Sequence, residues 1–204
     1  MATLGAVVLA AGKSERMGRN KFLLPWGKGL AGEKILHTLS SCGLSQIVLI
    51  LGFDGDSILS TLAPTIKGRK VEAVFNPHYE EGMISSVKTG VKGLRGDLDG
   101  FFLVLGDQPF LKAEWIAKLK DFFSTSGALA VIPTYKGKRG HPLLLSLRLR
   151  EEIMALDERR ETLKTLLRRH SDSIEEVEFS EEEILWDLDT PEEVERHKDS
   201  YKEE

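Results

Sequence analysis

Residues 5–18 read GAVVLAAGKSERMG. The first half is a nearly continuous apolar run, the pattern of a strand covered on both faces rather than of a half-solvated one. It passes straight into small residues and Gly12, and then into Lys13, Arg16, Arg19 and Lys21, with Gly18 permitting a sharp bend. A small-residue turn lets a ligand approach the backbone closely, and the cations gathered around it suit a polyphosphate. A strand-to-helix loop carrying ordinary surface cations explains the same residues equally well.

The pattern repeats along the chain. AVVLA from Ala6, QIVLILG from Gln46, VEAVF from Val71, GFFLVLG from Gly100 and ALAVIP from Ala128 read as strands. Between them lie stretches with helical spacing. EKILHTLSSCG places Ile35, Leu36 and Leu39 on one face, with Gly43 as its stop; SILSTLAP is a second. EEGMISSVKTGVKGL aligns Ile84, Val87, Val91 and Leu94, and KAEWIAKLKDFF turns Trp115, Ile116, Leu119, Phe122 and Phe123 inward. Strand alternating with helix predicts a three-layer α/β/α, Rossmann-like fold with a mostly parallel central sheet. In such folds the ligand lies at the carboxyl ends of the strands. From Pro142 the pattern loosens. PLLLSLRL reads as an additional strand, REEIMALDERRETLKTLLRRH as charged and amphipathic, IEEVEF and ILWDLD as short strands, and TPEEVERHKDSYKEE as a terminal helix with Thr190 as N-cap and Pro191 in the first turn.

AGKS at residues 11–14 imitates the end of a P-loop. That device needs a glycine five places before Gly12 to cradle phosphates, and Val7 stands there. The dinucleotide fingerprint fails at Ser14, where its second glycine belongs. A P-loop ATPase is excluded.

Composition narrows the classes further. With 204 residues, no internal repeat and no low-complexity linker, the expectation is one domain over residues 1–204. Twenty-eight Lys and Arg against 32 Asp and Glu leave a net charge of −4, which suggests no nucleic-acid or membrane-surface partner. Cys42 is the only cysteine, so no intramolecular disulfide and no cysteine-built metal site form. The opening MATLGAVVLAAG lacks the basic region of a secretory leader and reads as a buried first strand. A cytoplasmic protein is expected.

Taken whole, LAAGKSERMGRNKFLLPWGKG at residues 9–29 resembles the opening signature of the MobA-like nucleotidyltransferases, the family of the molybdenum-cofactor enzymes. Four later segments follow that family's order: NPHYEEGMISSVKTG from Asn76, LGDQPFL from Leu105, KRGHPLLL from Lys138 and DLDTPEE from Asp187. LAAG, GDQP and RGHP together are most similar to the members that act as cytidylyltransferases of the molybdopterin cofactor. The resemblance therefore implies transfer of CMP from CTP to a cofactor phosphate, releasing pyrophosphate, with Mg²⁺ (Mn²⁺ as the alternative) and a recipient molybdoenzyme downstream.

The same resemblance implies roles for particular residues. Lys21, Arg16 and Asp107 would be catalytic: Lys21 at the α-phosphate, and Arg16 with Lys13 on the β- and γ-phosphates. Leu9, Ala10, Ala11, Gly12, Ser14, Asn76, Gly82, Ser85 and Ser86 would receive base and ribose. Asp107 would bind the metal through one or two carboxylates plus substrate phosphates, with Asp189 as second ligand. Gly140 and His141 would lie near the acceptor. Simpler readings accompany several of these: Asp107 as cap of the helix near Lys112, Asp187 and Asp189 as caps before Thr190, Ser85 or Ser86 as helix-start hydroxyls, and His141 as a structural histidine. Trp26 either lines the acceptor site or packs.

Two stretches depart from the family pattern. WGKGLAGEKIL is longer than usual. LDERRETLKTLL from Leu156 lacks the glycines of the family's Gly-Asp-x-Gly segment near the acceptor and keeps Asp157 with an arginine nearby. The alternatives are thus the same chemistry with GTP or with another acceptor such as a sugar phosphate, and, from a different class, a non-catalytic cofactor-binding and delivery protein.

Overall fold

The computed structural model describes residues 2–197. In chain order the elements are β1 (Leu4–Ala10), the two-residue strands β2 (Pro25–Trp26) and β3 (Gly29–Leu30), α1 (Ala31–Ser41), β4 (Gln46–Leu51), α2 (Gly55–Ile66), β5 (Val71–Phe75), α3 (Met83–Gly93), β6 (Gly100–Leu105) and α4 (Ala113–Ser126). The second half contains β7 (Ala130–Tyr135), β8 (Lys138–Arg139), β9 (Leu143–Ser146), α5 (Arg150–Ala155), α6 (Leu163–Arg169), β10 (Ile174–Glu178) and α7 (Pro191–Arg196).

The main sheet runs β10-β7-β9-β6-β1-β4-β5, with β8 paired to β7. β1 lies at its centre, parallel to both β4 and β6. β9 enters antiparallel between β6 and β7, so the sheet is mixed but mostly parallel. Its two faces are covered separately. Ala6, Val8 and Ala10 share a core with Ile35, Leu36 and Leu39 of α1, Ile58 and Leu62 of α2, and Trp115, Ile116 and Leu119 of α4. Val7 and Ala11 point the other way, into a core with Ile84, Val87 and Val91 of α3, Ile153 of α5 and Leu166 of α6. The unbroken apolar run of β1 follows from this two-sided burial.

One contact sets the site's dimensions. A Cβ on Gly90 would lie 2.3 Å from Cγ1 of Val7, so α3 rests directly on β1. That close packing brings the first turn of α3 alongside the loop that leaves β1.

Several elements differ from their sequence reading. α2 continues past Pro64 to Ile66. Phe122 is 44% exposed, because rotation of α4 puts Phe123 over Gly100 instead. The charged segment after Arg150 forms two short helices, separated where Thr162 caps α6. ILWDLD is not a strand. Residues Glu182–Leu185 make a 3₁₀ turn, and the backbone then bonds to two loops: His141 N–H donates to Ile184 O (3.0 Å) and Leu188 N–H to Asp107 O (3.0 Å). The terminal helix spans Pro191–Arg196, and the remainder of its expected length lies outside the described residues. No helix among the described residues is long and apolar enough to cross a membrane.

Candidate active site

A cleft of about 280 Å³ opens at the carboxyl ends of β1 and β6. Leu9, Ala10, Ala11, Gly12, Ser14, Lys21, Gly82, Ser86 and Asp107 line it, nine of the positions singled out from sequence. Asn20, Phe22, Tyr79, Met83, Leu105 and Gly106 complete the lining; all but Phe22 and Leu105 lie in the stretches that follow the apolar runs, where the sequence places the ligand, though none of the six is assigned a binding role there. Met83, an apolar residue at a helix start, stays 60% exposed.

The loop after β1 is held open by local geometry. Nothing stands within 4 Å of where a Cβ on Gly12 would be, so that backbone is accessible to a ligand. Ser14 adopts left-handed angles (φ 52°, ψ 37°), uncommon for a residue with a side chain, and its Oγ accepts from Lys21 N–H (3.3 Å). Gly18 is also left-handed, and Asn20 Oδ1 caps the next turn by accepting from Phe22 N–H (3.0 Å). Buried Phe22 anchors the chain here, so neighbouring Lys21 is carried into the cleft with its side chain only 15% exposed.

Lys21 Nζ sits 3.3 Å from Asp107 Oδ2 and also contacts Asp189 Oδ1. Arg16 Nη2 reaches the other oxygen, Asp189 Oδ2. The hydrogen bond from Lys21, reinforced by the charges of Lys21 and Arg16, holds the Asp189 carboxyl below its ordinary range. Asp187 moves the other way: burial, then the carboxylates of Asp189, Asp107 and Glu193, push it up to about 6. Lys13 stands apart, bound to Glu80 at 2.6 Å across the cleft's outer side.

The capping alternatives fail for all three aspartates. α4 begins after Lys112 with no side-chain cap, so Asp107 is not spent there. At α7, Thr190 Oγ1 accepts from Glu193 N–H, and Glu193 Oε2 accepts from the N–H groups of Asp189 and Thr190. This reciprocal box releases the Asp187 and Asp189 side chains from capping.

Other expected positions are sorted by their hydrogen bonds. Asn76, buried, is turned inward: its Nδ2 donates to Ser85 Oγ (2.9 Å) and Ser86 Oγ (3.0 Å), and its Oδ1 accepts from His78 N–H (2.9 Å). Ser85 Oγ donates to the carbonyls of His78 and Gly82, the helix-start role. The polar atoms of Asn76 and Ser85 thus hold the turn that presents Ser86. A Cβ on Gly140 would lie 2.4 Å from Ile184 O, so this glycine is explained by close approach of two chains. His141, on a cis bond to Pro142, lies outside the cleft lining, and burial pulls its pKa below the ordinary histidine value despite the opposing charge of Asp107. Trp26 packs edge-on against Phe110 (4.9 Å), which meets Trp186 likewise (5.3 Å). Cys42 donates to Thr38 O (3.0 Å) at the end of α1.

No group of three or more His, Cys, Asp or Glu residues forms a metal cage among the described residues. A divalent cation that completes its shell with phosphate oxygens needs only one or two carboxylates. Asp107 fits this requirement, because its Oδ1 is buried and has no hydrogen-bond partner.

Known proteins resemble the chain in both sequence and fold. The MobA-like NTP transferase domain matches residues 6–174. The molybdenum cofactor cytidylyltransferase of Escherichia coli K12 is 29% identical over 204 residues, covering all of both chains. A probable molybdenum cofactor guanylyltransferase of Bacillus thuringiensis is 29% identical over 171 residues, 81% of this chain and 80% of that one. Among solved structures, Rv0371c of Mycobacterium tuberculosis superposes with a TM-score of 0.82 at 26% identity, over 96% of this chain and 97% of that one. A second structure of that protein, in complex with manganese, gives 0.77 at 23% identity, over 95% and 97%. The chain belongs to the MobA-like NTP transferase family and is a nucleotidyltransferase.

Proposed function

We propose that this protein transfers CMP from CTP to the terminal phosphate of the molybdopterin cofactor and releases pyrophosphate. The observation that carries the reading is Lys21, held between Asp107 and Asp189 at the floor of a cleft walled by an accessible glycine loop. Choice of CTP and of the cofactor rests on the full-length similarity to the Escherichia coli cytidylyltransferase.

No protein nucleophile is required, because the acceptor phosphate is already an oxyanion at neutral pH. Its oxygen forms a bond to the α-phosphorus, the bond from that phosphorus to the bridging oxygen breaks, and pyrophosphate leaves with the electron pair. The protein's task is to bring two anions together and to neutralise the charge that develops between them. Lys21, fixed at its base by Ser14 and Phe22, places its ammonium at the α-phosphate. Arg16, whose side chain is 70% exposed, and Lys13 reach the β- and γ-phosphates. The backbone of Leu9–Gly12, with Ser14, Gly82 and Ser86, receives the nucleoside. Asp107 and Asp189 would hold a divalent metal, Mg²⁺ or Mn²⁺, which would neutralise phosphate charge as a Lewis acid.

Pyrophosphate release measured over a panel of nucleoside triphosphates, with and without the molybdopterin cofactor, tests this. The expected result is release that needs both CTP and cofactor. Equal or greater release with GTP would reassign the nucleotide. Cofactor binding without release from any nucleotide would favour a delivery protein. One observation supports a second acceptor: the segment from Leu156 has no glycines and closes on itself, with Asp157 Oδ1 accepting from Arg159 N–H (2.9 Å) and Glu161 Oε2 from Asp157 N–H (2.9 Å). Release with CTP and a sugar phosphate, but not with the cofactor, would favour that reading.

A further inference from the structure

Every cation assigned to the phosphates already has a carboxylate partner. Lys13 holds Glu80, Arg16 holds Asp189, and Lys21 holds both Asp189 and Asp107. Arg16 and Lys21 thus oppose the two carboxylates of Asp107 and Asp189, and the pairs offer a polyanion no net attraction. A triphosphate entering this arrangement would have to break the two ion pairs of Asp189 and leave that carboxylate beside its own negative oxygens, a like-charge contact.

We propose that Asp189 is an internal counter-anion that occupies Lys21 and Arg16 until a divalent cation takes its place on the carboxylates, which couples triphosphate binding to the cation. The inference rests on the nucleotidyltransferase reading and deepens it. A divalent cation brings the two positive charges that the exchange requires. Asp107 Oδ1, buried and unpartnered, gives it a first contact that displaces no existing bond. Asp189 then has a new partner, and both cations are released within reach of the cleft. Arg16 swings through solvent, its side chain being 70% exposed, while Lys21 has a confined stem and turns only its ammonium. Because coupling is reciprocal, the triphosphate tightens the cation by the same factor.

The test is calorimetric titration of CTP, without acceptor, into wild type, Asp189→Asn and Asp189→Ser, each in EDTA and in Mg²⁺, with thermal melts to verify folding. Wild type is expected to bind CTP about 50-fold more tightly in Mg²⁺, within the usual range of site-to-site coupling. The variants, in which Arg16 is freed and Lys21 keeps Asp107 alone, are expected to bind CTP in EDTA at least about fivefold more tightly than wild type, and to gain less than about tenfold from Mg²⁺. Variants that bind no more tightly than wild type in EDTA overturn the proposal. So does a wild type indifferent to Mg²⁺, which leaves the nucleotide reading standing. A wild type that binds no triphosphate in any condition overturns both. A readout independent of variants is the Arg16 guanidinium NMR signal in nucleotide-free protein: saturating Mg²⁺ alone shifts it if the ion pair opens, and an unmoved signal contradicts the exchange.

Discussion

Two loops approach the same cleft and are built in opposite ways. The loop after β1 keeps its groups available: Gly12 is unobstructed, Ser14 is strained into a left-handed conformation, and Lys21 is carried inward. The loop between α5 and α6 reaches the cleft's other side, where Glu158 O lies 4.0 Å from the position of a Cβ on Gly82. It satisfies itself. Asp157 and Glu161 close its turns, Glu161 pairs with Arg169, and Glu158 is tied to Lys88 of α3 at 2.7 Å. Strain and buried charge persist at functional sites because binding and catalysis use them, whereas a connector has no reason to retain either.

This contrast makes Lys21→Ala the most damaging change to function. It is expected to lower turnover by about 10³, the loss seen when a preorganised charge-stabilising donor is removed. Thermal stability should change little, because Lys21 offsets carboxylates that retain solvent contact or the Arg16 partner. A stopped assay of pyrophosphate release beside a melt checks both halves. Next is Asn76→Ala, which removes the buried amide that bonds Ser85 Oγ, Ser86 Oγ and His78 N–H in the turn before α3; urea unfolding should show a loss of about 2 kcal/mol. If Asn76 instead bound the base directly, CTP affinity would fall with stability unchanged.

Asp187→Asn sharpens the comparison through pH. The unfolded chain releases this proton near its ordinary 3.8 and the folded chain keeps it to about 6, so the fold loses stability as pH rises between those values. Removing the charge should leave stability unchanged below pH 4 and raise it by about 1 kcal/mol above pH 6, after discounting for the group's solvent contact. Melts across pH 3.5–8 decide it, and a variant less stable at neutral pH would refute the sign. The smallest effect is expected in the self-satisfied loop. Glu158→Gln should cost about 0.5 kcal/mol through the lost pair with Lys88, with CTP affinity unchanged in calorimetry.

What could be read from sequence follows from which signals are local. β1, β4 and β6 are apolar runs buried on both faces, and the first loop's glycines and cations are contiguous, so both were legible. β2, β3 and β8 have two residues each and no periodicity to detect. ILWDLD alternates like a strand, but its backbone partners are His141 and Asp107, residues distant in sequence. The arrangement of Asn76, Ser85 and Ser86 was hidden for another reason: it depends on where the Asn76 amide points, which residue types do not reveal. Asp189 could be named as a ligand by resemblance. That it binds Lys21 and Arg16 together, and that Thr190 and Glu193 take over the cap, required the folded arrangement.

The central claim, that Lys21 and its two carboxylates perform nucleotidyl transfer in the cleft after β1, is tested most directly by comparing CTP-dependent pyrophosphate release with CTP affinity in wild type and Lys21→Ala. The account predicts one pyrophosphate per cofactor consumed in wild type, a loss of about 10³ in turnover in the variant, and a CTP dissociation constant that moves by less than about tenfold. Undiminished turnover in Lys21→Ala, or a loss confined to affinity, would contradict it.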